Sequence, residues 1–275
     1  MTDRYAVIGN PIAHSKSPLI HRMFAEQTGQ DISYAAIEAP LDGFAATIER
    51  LRKEGYKGCN VTVPFKLEAW KLSGGHTSRA IDAEAANTLT FKDARIFIDN
   101  TDGAGLVRDI EQNRDVHLEG KRILLIGAGG AAYGVLHPLL EASRTSLVIY
   151  NRTLEKATSL KKTVEQHDKF RLFSTKAVEF GGLGGEQFDV VINATSAGLT
   201  DSEIPLPETI FAPGALAYDM MYGRETPFMK FAREHGAAIV SDGLGMLVEQ
   251  AAESFHIWRG VRPDTKPVLE KLRAA

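Results

Sequence analysis

The residues best suited to chemistry fall in two short stretches. "KRILLIGAGGAAYG", residues 121–134, sets Gly127, Gly129 and Ala132 in the order G-x-G-x-x-A between four apolar strand residues and a helix-like run. Gly127 permits a tight turn, Gly129 lets the backbone approach a pyrophosphate, and small Ala132 lets the helix sit close to the strand. Ala128, Gly130 and Ala131 fill the rest of the loop, where amides at a helix N-terminus offer hydrogen bonds and partial positive charge to phosphate. The strand before and the helix after make this a dinucleotide fingerprint rather than a bare glycine pattern. The second stretch is "GCNVTVPFK", residues 58–66, a β-branched run that meets Pro64 and ends on a charge. By itself this segment makes Lys66 a solvated lysine opening the next helix.

The end of the strand after the glycine loop selects the dinucleotide. An NAD site usually presents Asp or Glu there to the ribose hydroxyls. This chain has "IYNRT", with Asn151 and Arg152, and Thr153 and Lys156 close behind. A carboxylate repels a 2′-phosphate, whereas a guanidinium forms charge-assisted bonds with it, so NADP is the expected cofactor. Alone, Arg152 would read as a surface arginine at a helix start; behind the fingerprint it reads as a phosphate ligand.

These groups need elements to hold them. Strand-like and helix-like runs alternate: "YAVIG", "PLIHRMFAEQTG", "SYAAIEA", "FAATIERLRKEG" and "GCNVTVP", then a second series from Lys121 with "RILLIG", "LVIYNR", "FRLFS", "FDVVINAT", "LAYDMMY" and "AAIVSDG". That alternation predicts an α/β protein of two domains, the first with a mainly parallel sheet and the second a Rossmann-type unit. We place the first domain at 1–103 with 240–275 returning to it, and the second at 104–239, because the strongly helical stretch from Leu244 to Trp258 has no strand after it.

The chain has 275 residues, 44% hydrophobic and 24% charged, which allows two ordinary cores. A net charge of -3 with intermixed signs gives no basic stripe for nucleic acid and no polybasic segment for a membrane. "MTDRYAVIGNP" lacks the apolar core of a signal peptide, and the single cysteine, Cys59, suits a reducing compartment, so a cytoplasmic location is expected. The eight histidines are scattered without HExxH or paired Cys/His spacing, so no metal is expected. G-x-S-x-G and G-x-x-x-x-G-K-[ST] are both missing, which removes serine hydrolase and nucleotidase readings.

With these residues in place, the chain resembles the shikimate dehydrogenase family over nearly its whole length. The segments that carry the resemblance are "GNPIAHSKSPLIH" (9–21), "NVTVPFK" (60–66), "AANT" (85–88), "DNTDG" (99–103), "GAGGAA" (127–132), "NRT" (151–153), "NATSAG" (193–198), "YDMMY" (218–222) and "DGLGMLVEQAA" (242–252). The resemblance implies reversible reduction of 3-dehydroshikimate to shikimate with NADPH, in the synthesis of aromatic amino acids; the sequence leaves open whether the chain works as a monomer or homodimer. It implies that Lys66 is the catalytic lysine, paired with Asp102, where a cation meets the charge growing on the carbonyl oxygen and delivers a proton. Ser15 and Ser17 look like ligands of the substrate carboxylate, although both positions also suit helix capping. Thr62, Asn87 and Asp102 resemble the family's contacts to ring hydroxyls, with Tyr222 and Gln250 completing the pocket. Asn193, Thr195 and Ser196 resemble the segment under the cofactor riboses, and Met220 and Gly243 its nicotinamide contacts. One departure stands out: the family often has "AGAVNT" where this chain has "AEAANT" (83–88), which bears on the reach of Asn87.

Two rival functions follow. A quinate/shikimate dehydrogenase, or a relative acting on another ring acid, keeps the same chemistry, although its NAD-dependent version is disfavoured by Arg152. A noncatalytic NADP-binding sensor keeps the fold but has no need of Lys66 and Asp102.

Overall fold

A computed structural model describes residues 2–170, 173–195, 197 and 202–274. The chain divides into two compact units, Met1–Gly105 with Leu247–Ala275, and Leu106–Met246.

The first unit is built on a six-stranded sheet. Strands β1 (Asp3–Gly9), β2 (Ile32–Glu38) and β3 (Gly58–Val61) are parallel and are connected through α1 (Ser17–Thr28) and α2 (Phe44–Lys53). Helix α1 has a proline in its first turn and ends at Gly29, whose φ of 65° is the left-handed conformation a helix terminus favours. After α3 (Lys66–Trp70), β4 (Gly75–His76) and α4 (Ser78–Ala83), the hairpin β5 (Thr88–Lys92) and β6 (Arg95–Asp99) completes the sheet in the order β2-β1-β3-β5-β6-β4. The β3–β5 and β5–β6 pairs are antiparallel. The alternation of apolar runs does not reveal this hairpin. Its turn residues, Asp93 and Ala94, both adopt positive φ, 50° and 64°, without the Asn-Gly or Asp-Gly pair that normally announces such a turn.

The second unit starts within α5 (Asp102–Arg108), which runs into a π-helical turn at Asp109–Asn113. Strand β7 (Ile123–Ile126) is followed by α6 (Gly130–Ser143), β8 (Ser146–Asn151), α7 (Leu154–Glu165), β9 (Ser174–Glu179), β10 (Phe188–Asn193), β11 (Phe211–Asp219), α8 (Pro227–Glu234) and β12 (Ile239–Ser241). The strands of this sheet pair in parallel, in the order β12-β11-β10-β7-β8-β9, which is the doubly wound arrangement expected of a Rossmann-type domain. Both faces are buried: Ile123 and Leu125 enter one apolar cluster with α6, while Leu124 and Ile126 enter another with Tyr150 and Phe228. One expected strand is displaced. Of "FRLFS", Phe170 ends a 3₁₀ turn with its ring buried in the core and Ser174 begins β9, while Arg171 and Leu172 lie outside the described residues.

Helices α9 (Leu244–Arg259) and α10 (Lys266–Arg273) follow, and from Leu247 onward they belong to the first unit. Trp258 stacks on Tyr5 at 4.6 Å and donates to the Leu89 carbonyl at 3.3 Å. Arg79 joins Asp99 and Glu253, each at 2.8 Å. Among the described residues no helix is long and apolar enough to cross a membrane.

Candidate active site

Lys66 is presented by a turn with a buried anchor. Strand β3 ends at Val61, the Thr62 amide still donates to Ile8 O at 2.8 Å, and the Phe65 amide returns to Thr62 O at 3.0 Å. Phe65 is fully buried and stacks on Phe44 at 5.0 Å; burial of such a ring contributes roughly 1.5–3 kcal/mol, which fixes the turn. Lys66 then opens α3, and its carbonyl accepts from the Ala86 amide at 2.9 Å. Its side chain is not a solvated surface group: Nζ lies 2.5 Å from Asp102 Oδ2, with side-chain exposures of 19% and 6%.

Asp102 is held from both ends. Its amide donates to Asn100 Oδ1 at 3.0 Å, and its Oδ1 accepts from Asn87 Nδ2 at 2.8 Å. The Asn87 amide cannot turn over, since its oxygen accepts from the Thr101 amide at 2.8 Å and from the Thr88 hydroxyl at 2.8 Å. The same Nδ2 reaches Thr101 Oγ1 at 2.9 Å and Gln250 Oε1 at 3.2 Å. Four of the expected residues, Lys66, Asp102, Asn87 and Gln250, are therefore brought together. Behind them lies a buried polar knot, of which only Asn60 inside an apolar strand gives a hint in the sequence: Asn60 Nδ2 donates to Thr88 Oγ1 at 3.1 Å and Ser254 Oγ at 2.9 Å, and the Thr88 and Ser254 hydroxyls lie 2.8 Å apart. Tyr34 donates to Asn60 Oδ1 at 2.7 Å, and His21 stacks on the Tyr34 ring at 4.1 Å. Burial holds the His21 imidazole down to about 3, outweighing a smaller opposing pull from Asn60.

The departure near Asn87 leaves it well placed. Glu84, standing where the family often has glycine, takes φ 45° at the end of α4, a conformation that costs an L-residue roughly 1–2 kcal/mol. The following backbone is secured regardless: the Asn87 amide donates to Asp99 O at 3.1 Å, and its carbonyl accepts from the Val61 amide at 2.8 Å.

Gly105 is required for this assembly. A Cβ there would fall 2.7 Å from both the backbone nitrogen and the Cβ of Gln250. Gly105→Ala is expected to destabilise the protein by about 1–3 kcal/mol, measured by denaturant unfolding, because the Gln250 nitrogen and Cα are main chain and its Cβ is fixed by them, so none can swing aside. A midpoint equal to that of the parent protein would contradict it.

The remaining first-unit candidates stand apart from this hydrogen-bonded group. Ser15 Oγ accepts from the Ser17 amide at 3.3 Å; Lys16, not Ser17, occupies the N-cap of α1, so N-capping does not occupy the Ser17 hydroxyl. Thr62 is half-buried, and its methyl would lie 2.6 Å from a Cβ on Gly9.

The second unit holds the glycine loop. Gly127 has φ 110°, which favours glycine, and a Cβ there would lie a tight 3.1 Å from both Ala194 O and Thr195 Cγ2. Among the described residues, nothing lies within 4 Å of a Cβ built on Gly129 or Gly130, and no side chain caps α6. This open space beside uncapped amides fits a pyrophosphate. Ala128 and Ala131 are partly buried against the core and Ala132 is fully buried. Asn151 donates to Thr153 O at 2.9 Å, shaping the turn into α7. Arg152 and Lys156 are exposed there, and neither has an ion pair among the described residues.

Asn193 turns out to be internal: it donates to Asp219 Oδ2 at 3.0 Å and accepts from the Thr195 hydroxyl at 2.7 Å. Burial raises the Asp219 pKa despite hydrogen bonds from Thr226, Met221 and Asn193. Ser196 lies outside the described residues. Met220 and Gly243 do meet, since a Cβ on Gly243 would fall 2.3 Å from Met220 O. Tyr222 is half-buried, and burial raises its phenol pKa.

Three family models match in chain order: "Shikimate dehydrogenase substrate binding domain" over residues 7–89, "Shikimate / quinate 5-dehydrogenase" over 109–200 and "Shikimate 5'-dehydrogenase C-terminal domain" over 243–273. A shikimate dehydrogenase (NADP(+)) of Methylobacillus flagellatus is 61% identical, covering 99% of this chain and 100% of that protein. The chain belongs to the shikimate dehydrogenase family. Among solved structures, an Ael1 enzyme from Pseudomonas putida is 49% identical with a TM-score of 0.90, covering 98% of each chain. A shikimate 5-dehydrogenase from Thermus thermophilus, in complex with NADP(H) and shikimate, is 30% identical with a TM-score of 0.86 and covers 99% of each chain.

Proposed function

We propose that the chain is an NADP-linked oxidoreductase that interconverts 3-dehydroshikimate and shikimate, with Lys66 and Asp102 as its catalytic pair. The observation that carries this reading is the 2.5 Å Lys66–Asp102 contact, held in one orientation by Asn87. NADPH, when bound, supplies the hydride. Lys66 holds a proton at Nζ for the oxygen that gains negative charge, and the low exposure of the pair strengthens that interaction over its value in water. Asp102 keeps the ammonium directed and leaves Oδ1 on Asn87.

In this reading the region 1–103 with 240–275 binds the ring acid. Ser15 and Ser17 take its carboxylate, and Thr62, Asn87, Gln250 and Tyr222 take its hydroxyls. The region 104–239 binds NADP. Gly127, Ala128, Gly129, Gly130 and Ala131 cradle the pyrophosphate, and Asn151, Arg152, Thr153 and Lys156 take the 2′-phosphate. Thr195, Met220 and Gly243 line the riboses and nicotinamide. A cytoplasmic location belongs to the same proposal, supported by the lone Cys59, which has no second cysteine with which to form an internal disulfide.

The test is a comparison of initial rates for shikimate and quinate, each with NADP and NAD. Shikimate with NADP should lead by at least about tenfold, since a polar site rejects a misplaced hydroxyl strongly. Equal rates with quinate would replace the narrow assignment by the broader quinate/shikimate one, and no turnover of either would favour a noncatalytic sensor.

A further inference from the structure

Asp109 is fully buried and has no part in the chemistry proposed above. It opens the π-helical turn that follows α5, a local geometry often found near functional sites. Its Oδ2 accepts from the Tyr218 hydroxyl at 2.6 Å and its Oδ1 from Asn113 Nδ2 at 2.9 Å, with Arg114 Nη2 3.8 Å from Oδ1. The carboxylate also lies against the first turn of α9: a Cβ on Gly245 would fall 1.9 Å from Oδ1 and 2.2 Å from Cγ. The Tyr218 hydroxyl in turn accepts from the Met246 amide at 3.3 Å. One carboxylate thus joins the end of β11 to the start of α9, where negative charge also suits the helix N-terminus.

The two residues it joins flank the cofactor candidates. Met220 lies two positions after Tyr218, and Gly243 two before Gly245. The Gly243 amide donates to Met221 O at 2.8 Å, and its Cα packs on the Met220 carbonyl. We propose that Asp109 is a positioning residue for the nicotinamide end of the dinucleotide site, acting through Tyr218 and Gly245 on the Met220–Gly243 contact. The proposal rests on the reading of Met220 and Gly243 as nicotinamide contacts.

Asp109→Asn tests it, because the amide keeps the shape but turns one acceptor into a donor facing groups that already donate. The full-length variant is titrated with NADPH and with 2′-phospho-ADP-ribose, which lacks the nicotinamide. NADPH binding should weaken by roughly tenfold, the effect of one misplaced hydrogen bond, while the fragment stays within about twofold. Equal weakening of both, as a general loss of structure would give, overturns the proposal; so does no change in either. Gly243→Ala separates the underlying reading from the inference. If it leaves NADPH binding intact, the nicotinamide assignment fails and the inference with it. If it selectively weakens NADPH while Asp109→Asn does not, the role of Asp109 alone is refuted. Should Asp109→Asn not fold, the same two titrations on Tyr218→Phe decide the matter, with the same outcomes.

Discussion

Lys66→Ala is expected to lower turnover by about 10²-fold or more while leaving NADPH affinity within about twofold of the parent. The size follows from the role proposed for the ammonium, since a positioned proton donor typically contributes about 10²–10⁴-fold, and no other described lysine or arginine pairs with Asp102. The cofactor side should be spared because the glycine loop and Arg152 belong to the other compact unit. A stability loss will accompany the change, since Asp102 has a side-chain exposure of only 6% and loses its cation. Turnover should therefore be measured well below the unfolding midpoint, alongside NADPH titration. An unchanged turnover would remove Lys66 from the chemistry. A matching fall in cofactor affinity would mean that the fold had been damaged instead.

The second large effect belongs to Arg152. Arg152→Ala should weaken NADPH by roughly 10- to 100-fold, because charge-assisted hydrogen bonds to a phosphate are worth about 1.5–3 kcal/mol, and about 1.4 kcal/mol is tenfold. NADH, which has no 2′-phosphate, should bind the variant as it binds the parent. Arg152 is exposed and has no ion pair among the described residues, so the melting temperature should hardly move. Competition titrations with both nucleotides give the answer directly. If both weaken together, Arg152 does not read the phosphate.

Different parts of this protein were legible in its sequence for different physical reasons. The glycine loop is a local device: spacing within six residues specifies turn, close approach and helix packing, and Gly127 indeed takes the positive φ that the pattern demands. The expectation for Arg152 rests on the same local logic, and its test is the titration above. Lys66 could not be read that way, since its partner lies 36 residues on, and only the family resemblance pointed to Asp102. The knot behind Asn87 was almost entirely hidden. Thr88, Thr101 and Ser254 are ordinary polar residues, and Ser254 is 166 positions from Thr88. Asn60 carried a single signal, its place inside the apolar strand "GCNV", where a buried amide must find partners. The hairpin of β5 and β6 escaped notice because Asp93 and Ala94 make its turn without a glycine.

The arrangement around Asn87 also bears on discrimination among polyols. Its nitrogen already faces three acceptors and its oxygen three donors. A guest hydroxyl arriving at this amide must swap places with an internal neighbour, so the gain is only a difference between two bonds of similar strength. A guest that displaces a neighbour without replacing it strands a buried group at about 1–3 kcal/mol. With Asn87 in the role proposed for it, selectivity at this point comes from penalising the ill-fitting molecule more than from gripping the right one.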